Sequence, residues 1–357
     1  MQVQRARLLA ALAIVRPALV GRPYIQSLSH VLLDKGWLTA YNESIAITTW
    51  LEDDVATIGA CVPGEQLIAA LGQFGAEAVE VVHAEGGMTV SSGKARIKLA
   101  TLPATDFLYR APDWSDDAFE LPQAVIDGIA CCLMGVGKDE TMPATLGVTM
   151  AAVDGMVVLF SSDNRTITRF GTDAAAPPAM SGAVLLPTQF CEQVVALAKL
   201  APGVAPIMVL RKDSAIVDFD GAAVLTARLQ DEFELVDFQA KVDDIVPASA
   251  YDHIVAIPDG FDGAMARASL ALGSGRDQSV RVSIRDGVMA IEATAATASS
   301  RDELAYPHTS MRMAFSVDPQ LVMRGARACA DLLPLEGALV MMGREGKLLH
   351  LVAHVAR

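Results

Sequence analysis

Cysteine is sparse in this chain, and what there is forms no motif. Cys61, Cys131, Cys132, Cys191 and Cys329 are scattered, odd in number and without a Cys-x-x-Cys pair. That argues against a metal site and for reduced, buried thiols, which suits a cytoplasmic protein. Positive charge is short as well: 28 Lys and Arg stand against 42 Asp and Glu, a formal net charge of −14. Ordinary nucleic-acid binders concentrate cations to displace counterions, so that class is disfavoured. Nor is there an apolar run approaching the about 20 residues of a membrane span. Leu8–Val15 follows Arg5 and Arg7 and superficially looks like a secretory signal, but Arg16-Pro17 interrupts it and no convincing cleavage site follows. A helix with Leu8, Leu12 and Val15 along one stripe is the better reading, with no targeting segment and no membrane contact expected.

Catalytic constellations are missing too. Gly87 to Lys94 approaches a phosphate-binding loop, but five residues separate Gly87 from Gly93 where the motif has four, and Ala95 replaces the magnesium-binding Ser or Thr. His350 and His354 lie four apart in a strand-like run, a span of about 13 Å. That is too far for both to hold one ion. Gly273-Ser274-Gly275 lacks the nucleophile-elbow frame, and Glu52-Asp53-Asp54 has no His or Ser beside it. With no convergent nucleophile, acid or base, the expectation is a non-enzyme with no metal and no cofactor.

What the chain does contain is repetition. With 357 residues and 52% hydrophobic content it can bury two or three cores. From Cys61 to Asp113 the pattern reads as a strand end, then a helix with Leu67, Ile68, Ala70 and Leu71 on one face. Alternating strands follow at Val79, Val81, at Met88, Val90 (joined by the Glu85-Gly86-Gly87 turn) and at Ile97, Leu99. The plan recurs twice. Leu185-Leu186-Pro187 opens a helix through Phe190, Val194, Val195 and Leu197, with strands at 207–211, 215–219 and 224–229. Phe315 to Pro319 opens another through Leu321, Val322, Ala326 and Leu332, with strands at 338–342 and 348–355. The openings fall roughly 125 to 130 residues apart, the signature of repeated domains. A further helix precedes each, at 5–15, 121–134 and 261–272. Joints are expected near Pro112–Phe119 and Asp237–Tyr251, a stiff loop at Ala174–Pro178, and a strand ending in a loop over Glu292–Ser300.

Particular residues carry a resemblance. Val62-Pro63, then Ser92-Gly93-Lys94-Ala95-Arg96, then Ala100-Thr101-Leu102-Pro103-Ala104-Thr105-Asp106-Phe107 resemble the first-domain signature of the bacterial DNA polymerase III β subunit, the sliding-clamp family. Gly21-Arg22-Pro23 is similar to its early turn. Leu121-Pro122-Gln123-Ala124 is similar to its second-domain opening, and Ala266-Arg267-Ala268 with Val280-Arg281-Val282 to its third. The resemblance covers the whole chain, more loosely towards the carboxy terminus.

The resemblance implies an α+β fold of three clamp domains, 1–115, 116–245 and 246–357, each with two helices packed on antiparallel sheets. It further implies a head-to-tail homodimeric ring that encircles double-stranded DNA without reading sequence, so that only the inner surface must tolerate phosphate. Arg22 falls on the family's DNA-contacting arginine; Arg5, Arg7, Lys199, Arg324 and Arg327 are further candidates on the expected helices. Glu65, Gly72, Thr188 and Gln189 stand where the family commonly carries basic residues. A pocket for short linear peptides of the DNA polymerase and clamp loader is implied at 162–167, 233–238 and 354–357, with Asp163, Phe233 and Arg357 retained. Its expected lining is Thr145, Ser162, Asn164, Ile167, Leu235, Phe238, Val352, His354 and Val355. The implied dimer contact sets Ile97 and Leu99, flanked by Lys94 and Arg96, against Arg267, Leu270 and Leu272, with Glu292, Asp302 or Glu303 as opposite charges. The competing expectation is a clamp-fold scaffold or competitor that binds replication partners without encircling DNA.

Overall fold

The computed structural model describes residues 1–357 except 53, 85, 113–116, 179, 181, 231–234, 274–278, 344 and 356–357. The helices among the described residues are α1 Arg5–Val15, α2 Gly64–Gln73, α3 Gln123–Cys132, α4 Thr188–Leu200, α5 Phe238–Ile245, α6 Phe261–Leu272 and α7 Pro319–Ala326. The chain forms two compact units. One holds Met1–Ile126, Pro177–Ala179 and Leu186–Glu232, the other Asp127–Ala176, Met180–Leu185 and Phe233–Arg357.

The first unit contains a four-stranded sheet in the order Gln2–Gln4, Ala78–Ala84, Gly87–Ser92, Ala95–Ala100. Its nine-stranded sheet runs Phe119–Glu120, Ile207–Leu210, Ser214–Asp218, Val224–Arg228, Ile45–Trp50, Trp37–Tyr41, His30–Asp34, Ala60–Pro63, Leu102–Pro103. At the centre of that sheet Val224–Ala227 pairs antiparallel with Ile45–Thr48, so strands far apart in sequence share one ladder. Leu8, Leu12 and Val15 lie fully buried on one stripe of α1, as their spacing requires, and the helix packs on the 37–50 hairpin.

The second unit repeats the arrangement. A four-stranded sheet runs Ser299–Ala305, Val288–Thr294, Val280–Arg285, Met313–Val317. The larger sheet includes, in order, Gly147–Val153, Met156–Ser162, Thr166–Ala175, Leu348–Ala353, Ala338–Met342, Asp331–Pro334 and Val255–Ala256. Here Thr166–Phe170 pairs with Leu348–Val352. Compactness thus follows the large shared sheets, which join strands from successive thirds of the chain.

Several expectations change. Leu332 belongs to the strand Asp331–Pro334, not to a helix, because α7 stops at Ala326. The presumed joint at 237–251 is mostly helical: Asp237 caps α5 by accepting from Ala240 N at 2.9 Å, and a 3-10 turn covers Ala248–His253. The Ala-, Thr- and Ser-rich run at 292–300 is a hairpin, Ala295 N donating to Ala298 O at 2.8 Å. Glu85, residues 113–116 of the first joint, and Ser274-Gly275 lie outside the described residues.

Candidate functional site

A cleft of about 430 Å³ in the second unit is built from four pieces of chain. The first is the turn after Met156–Ser162. Asp163 Oδ1 accepts from Arg165 N at 3.1 Å and from Thr166 N and Oγ1 at 2.8 Å each. That lets Asn164 take a left-handed φ of 67°. Ser162 Oγ donates to Thr166 O at 2.7 Å and closes the turn. The second piece is Thr145, whose Oγ1 donates to Met142 O at 2.8 Å. The third is α5, which presents Phe238, Lys241, Asp244 and Ile245, with Val236 just before it. Phe238 stacks on Phe160 at 6.1 Å and 23°, so the apolar floor is fixed. The fourth is Glu336-Gly337-Ala338 with Leu351 and Ala353 of the neighbouring strand.

Of the nine residues expected to line a peptide pocket, Thr145, Ser162, Asn164, Ile167 and Phe238 meet in this cleft. Leu235 lies one residue outside it, half-buried. Val352 does not reach it. Strand side chains alternate, so Leu351 and Ala353 face the cleft, while Val352 is fully buried in the opposite core with Phe261, Leu339 and Met341. His354 and Val355 turn away as well and line a separate depression of about 320 Å³ with Arg281 and Phe315. His354 stacks on Phe315 at 4.4 Å and 2°, and burial lowers its pKa. Phe233, Glu234 and Arg357 lie outside the described residues. Arg165 and Val236, inside the expected segments but not in the expected lining, also face the cleft, and Lys241, Asp244 and Ile245 of α5 were missed. The signal that could have found α5 is Asp237 as a cap before Phe238 and Val242, four apart on one buried face.

Beneath the 163–166 turn, His350 is fully buried between strand and helix. Its Nδ1 meets Thr168 Oγ1 at 2.8 Å and its Nε2 meets Leu321 O at 3.4 Å. Burial pushes its pKa down to about 4, so the ring is neutral at pH 7. Nε2–H then donates to the carbonyl and Nδ1 accepts from the threonine. Gly325 of α7 sits directly over the ring; a Cβ there would meet His350 Cδ2 at 2.4 Å. Only glycine allows the helix so close.

Of the basic candidates, Arg22 is exposed in the bend between two 3-10 turns, and Arg7 and Lys199 are exposed on α1 and α4. Arg5 Nε donates to Ala76 O at 2.9 Å. These four belong to the first unit. In the second, Arg327 is exposed at the end of α7, whereas Arg324 Nη1 pairs with Asp163 Oδ2 at 3.6 Å. Glu65 is engaged with Arg16 at 2.8 Å.

The candidate subunit-contact residues occupy a sheet edge in the first unit and α6 in the second. Ala95–Ala100 ends the four-stranded sheet of the first unit, with Arg96 and Lys98 exposed beside Lys94. Ile97 is half-buried, and Leu99 is packed inside its own unit opposite Met88. In the second unit one edge of the four-stranded sheet is Ser299–Ala305. Its Asp302 binds Arg267 at 2.6 Å, and Arg301 binds Glu292 and Glu303 at 2.6 Å each. Leu270 on α6 is 83% exposed, while Leu272 packs against the core.

No protein-family model matches the sequence. Solved structures do match the fold along its whole length. The DNA polymerase III subunit beta from Pseudomonas aeruginosa is 16% identical with a TM-score of 0.87, covering 100% of both chains. A sliding clamp from Bartonella birtlesii, bound to griselimycin, is 18% identical with a TM-score of 0.88, covering 100% of this chain and 99% of that one. The Caulobacter crescentus pol III beta is 16% identical with a TM-score of 0.85 over the same shares. The chain therefore has the α+β fold of these sliding clamps.

Proposed function

We propose that the chain is a DNA sliding clamp: two copies close head to tail around double-stranded DNA and tether a polymerase for processive synthesis. The observation that carries this is the full-length superposition, which leaves no part of either chain unmatched at a TM-score of 0.87. Under this reading the repeats are 1–115, 116–245 and 246–357, and the protein works in the cytoplasm without catalysing a reaction. The cleft bounded by the 162–167 turn and α5 would receive short peptides from the polymerase and the clamp loader. Its mostly apolar floor with a charged rim of Arg165, Lys241, Asp244 and Glu336 suits a peptide with apolar anchors. The cationic edge carrying Lys94, Arg96 and Lys98 would meet the 299–305 edge of another copy, where Asp302, Glu292 and Glu303 outnumber the Arg267 and Arg301 that pair with them.

A ring that slides must hold phosphate loosely, and α2 and α3 carry no Lys or Arg at all. Direct affinity for DNA would then be weak and the hold topological. The same scarcity of cations favours the second reading, a clamp-fold scaffold that binds partners without encircling DNA. Electron microscopy of the purified protein separates the two. Closed two-copy rings with a hole wide enough for a duplex are expected, and single open particles at all concentrations would favour the scaffold.

A further inference from the structure

The turn that walls the cleft is tied to α7 by two ion pairs of matching design. Asp163 uses Oδ1 to shape its own turn and Oδ2 to meet Arg324 of α7 at 3.6 Å. Asp318 uses Oδ1 to cap α7, accepting from Gln320 N at 2.8 Å and Leu321 N at 3.4 Å, and Oδ2 to meet Arg165 of the turn at 3.0 Å. Each carboxylate thus holds its own backbone with one oxygen and the opposite element's guanidinium with the other. The aspartates are largely covered, at 17% and 15% side-chain exposure, while the arginines stay near half exposed at 43% and 47%. A covered carboxylate that loses its cation is costlier than a solvated one, so these pairs should outweigh ordinary surface bridges. His350, bonded to Thr168 and Leu321 O, and Gly325, which lets α7 approach, fix the layer below.

We infer that the crossed pairs Arg165–Asp318 and Arg324–Asp163 hold the cleft wall in its receptive shape, so that Arg324, which does not line the cleft, is a positioning residue for peptide binding. This rests on the cleft being the peptide site proposed above. Arg165 itself lines the cleft. Tied to Asp318, its guanidinium is held at the wall; released, it would be free to swing across the opening and the Asn164 turn would lose its anchor. The shape of the cleft is therefore set by charge even when its ligand has none.

The test uses an uncharged peptide, acetylated and amidated, with two adjacent apolar residues at its end, titrated by calorimetry. Arg324→Gln is expected to weaken binding about five-fold, and Arg324→Lys, which keeps the charge, to stay within about two-fold of wild type. Raising salt from about 50 to about 500 mM should weaken wild-type binding of this neutral peptide, and Arg324→Gln, which keeps only the Arg165–Asp318 pair, should respond less. Arg165→Gln should behave as Arg324→Gln, and both variants should melt within a few degrees of wild type. Unchanged affinity and an unchanged salt profile in Arg324→Gln would overturn the inference while leaving the cleft as the peptide site. Wild-type binding that survives Val236→Asp in the cleft wall would place the peptide elsewhere and overturn both.

Discussion

Leu270→Arg isolates the proposed ring contact from the fold. Leu270 is 83% exposed on α6, so in a single chain the substitution removes almost no packing. Arginine is a good helix former, so the melting temperature should stay within a degree or two of wild type. If the side chain is covered by a second copy, the loss is most of a leucine's burial, about 1 to 2.5 kcal/mol at each contact. A closed ring of two has two such contacts, giving about 2 to 5 kcal/mol before any cost of burying the new charge. That weakens dimerisation by about one and a half to three and a half powers of ten. Sedimentation velocity reads it directly: wild type should run as two chains of 37.6 kDa at micromolar concentration, and the variant as one. Leu99→Arg is the contrast, since Leu99 is 5% exposed and should lose stability first. A Leu270→Arg protein that sediments as wild type does at every concentration would refute the contact, as would a wild type that is already a monomer.

Three further outcomes follow from the site and core. Gly325→Ala would put a Cβ 2.4 Å from His350, and it should destabilise the fold by about 1 to 3 kcal/mol, read as a lower melting temperature. His350 has a folded pKa pushed down to about 4, against 6.5 unfolded, so the unfolded chain takes up the proton first as pH falls. Its contribution is full above pH 6.5 and is lost as pH drops towards 4, about 2 kcal/mol by pH 5, and His350→Gln should flatten denaturant midpoints over that window. Cys61 and Cys329 are pushed up to about 12, mainly by burial, so both should resist alkylation at pH 8 in the native protein and react once it is unfolded, as mass spectrometry can follow.

The bounds of α1 and α6, Arg5–Val15 and Phe261–Leu272, were legible in the sequence, whereas α7 stops at Ala326 although the apolar pattern runs on to Leu332. The strand Ser299–Ala305 was not legible, because an edge strand of Ser, Arg, Asp and Glu lacks the apolar alternation that marks a strand. Nor was α5, whose Lys and Asp content reads as a linker until Asp237 is taken as a cap. In the cleft, the 162–167 segment forms one wall, and Asp163 and Asn164 have the turn chemistry written in them. The closing strand was misjudged by one residue, and in a strand one residue changes the face: Val352 went to the core and Leu351 and Ala353 to the cleft. The pairs Arg324–Asp163 and Arg165–Asp318, which tie α7 to the turn, join residues more than a hundred positions apart, which no local pattern reveals.

The central proposal, a ring held on DNA by topology, is tested most directly on nicked circular DNA. Protein allowed to assemble in the presence of the circles is passed through a sizing column in high salt, before and after a single restriction cut. With a formal net charge of −14, electrostatic attachment should not survive that salt. The account predicts that protein co-elutes with intact circles and is released when they are cut. Protein retained equally on cut and uncut DNA, or on neither after assembly into two-copy rings, would contradict it.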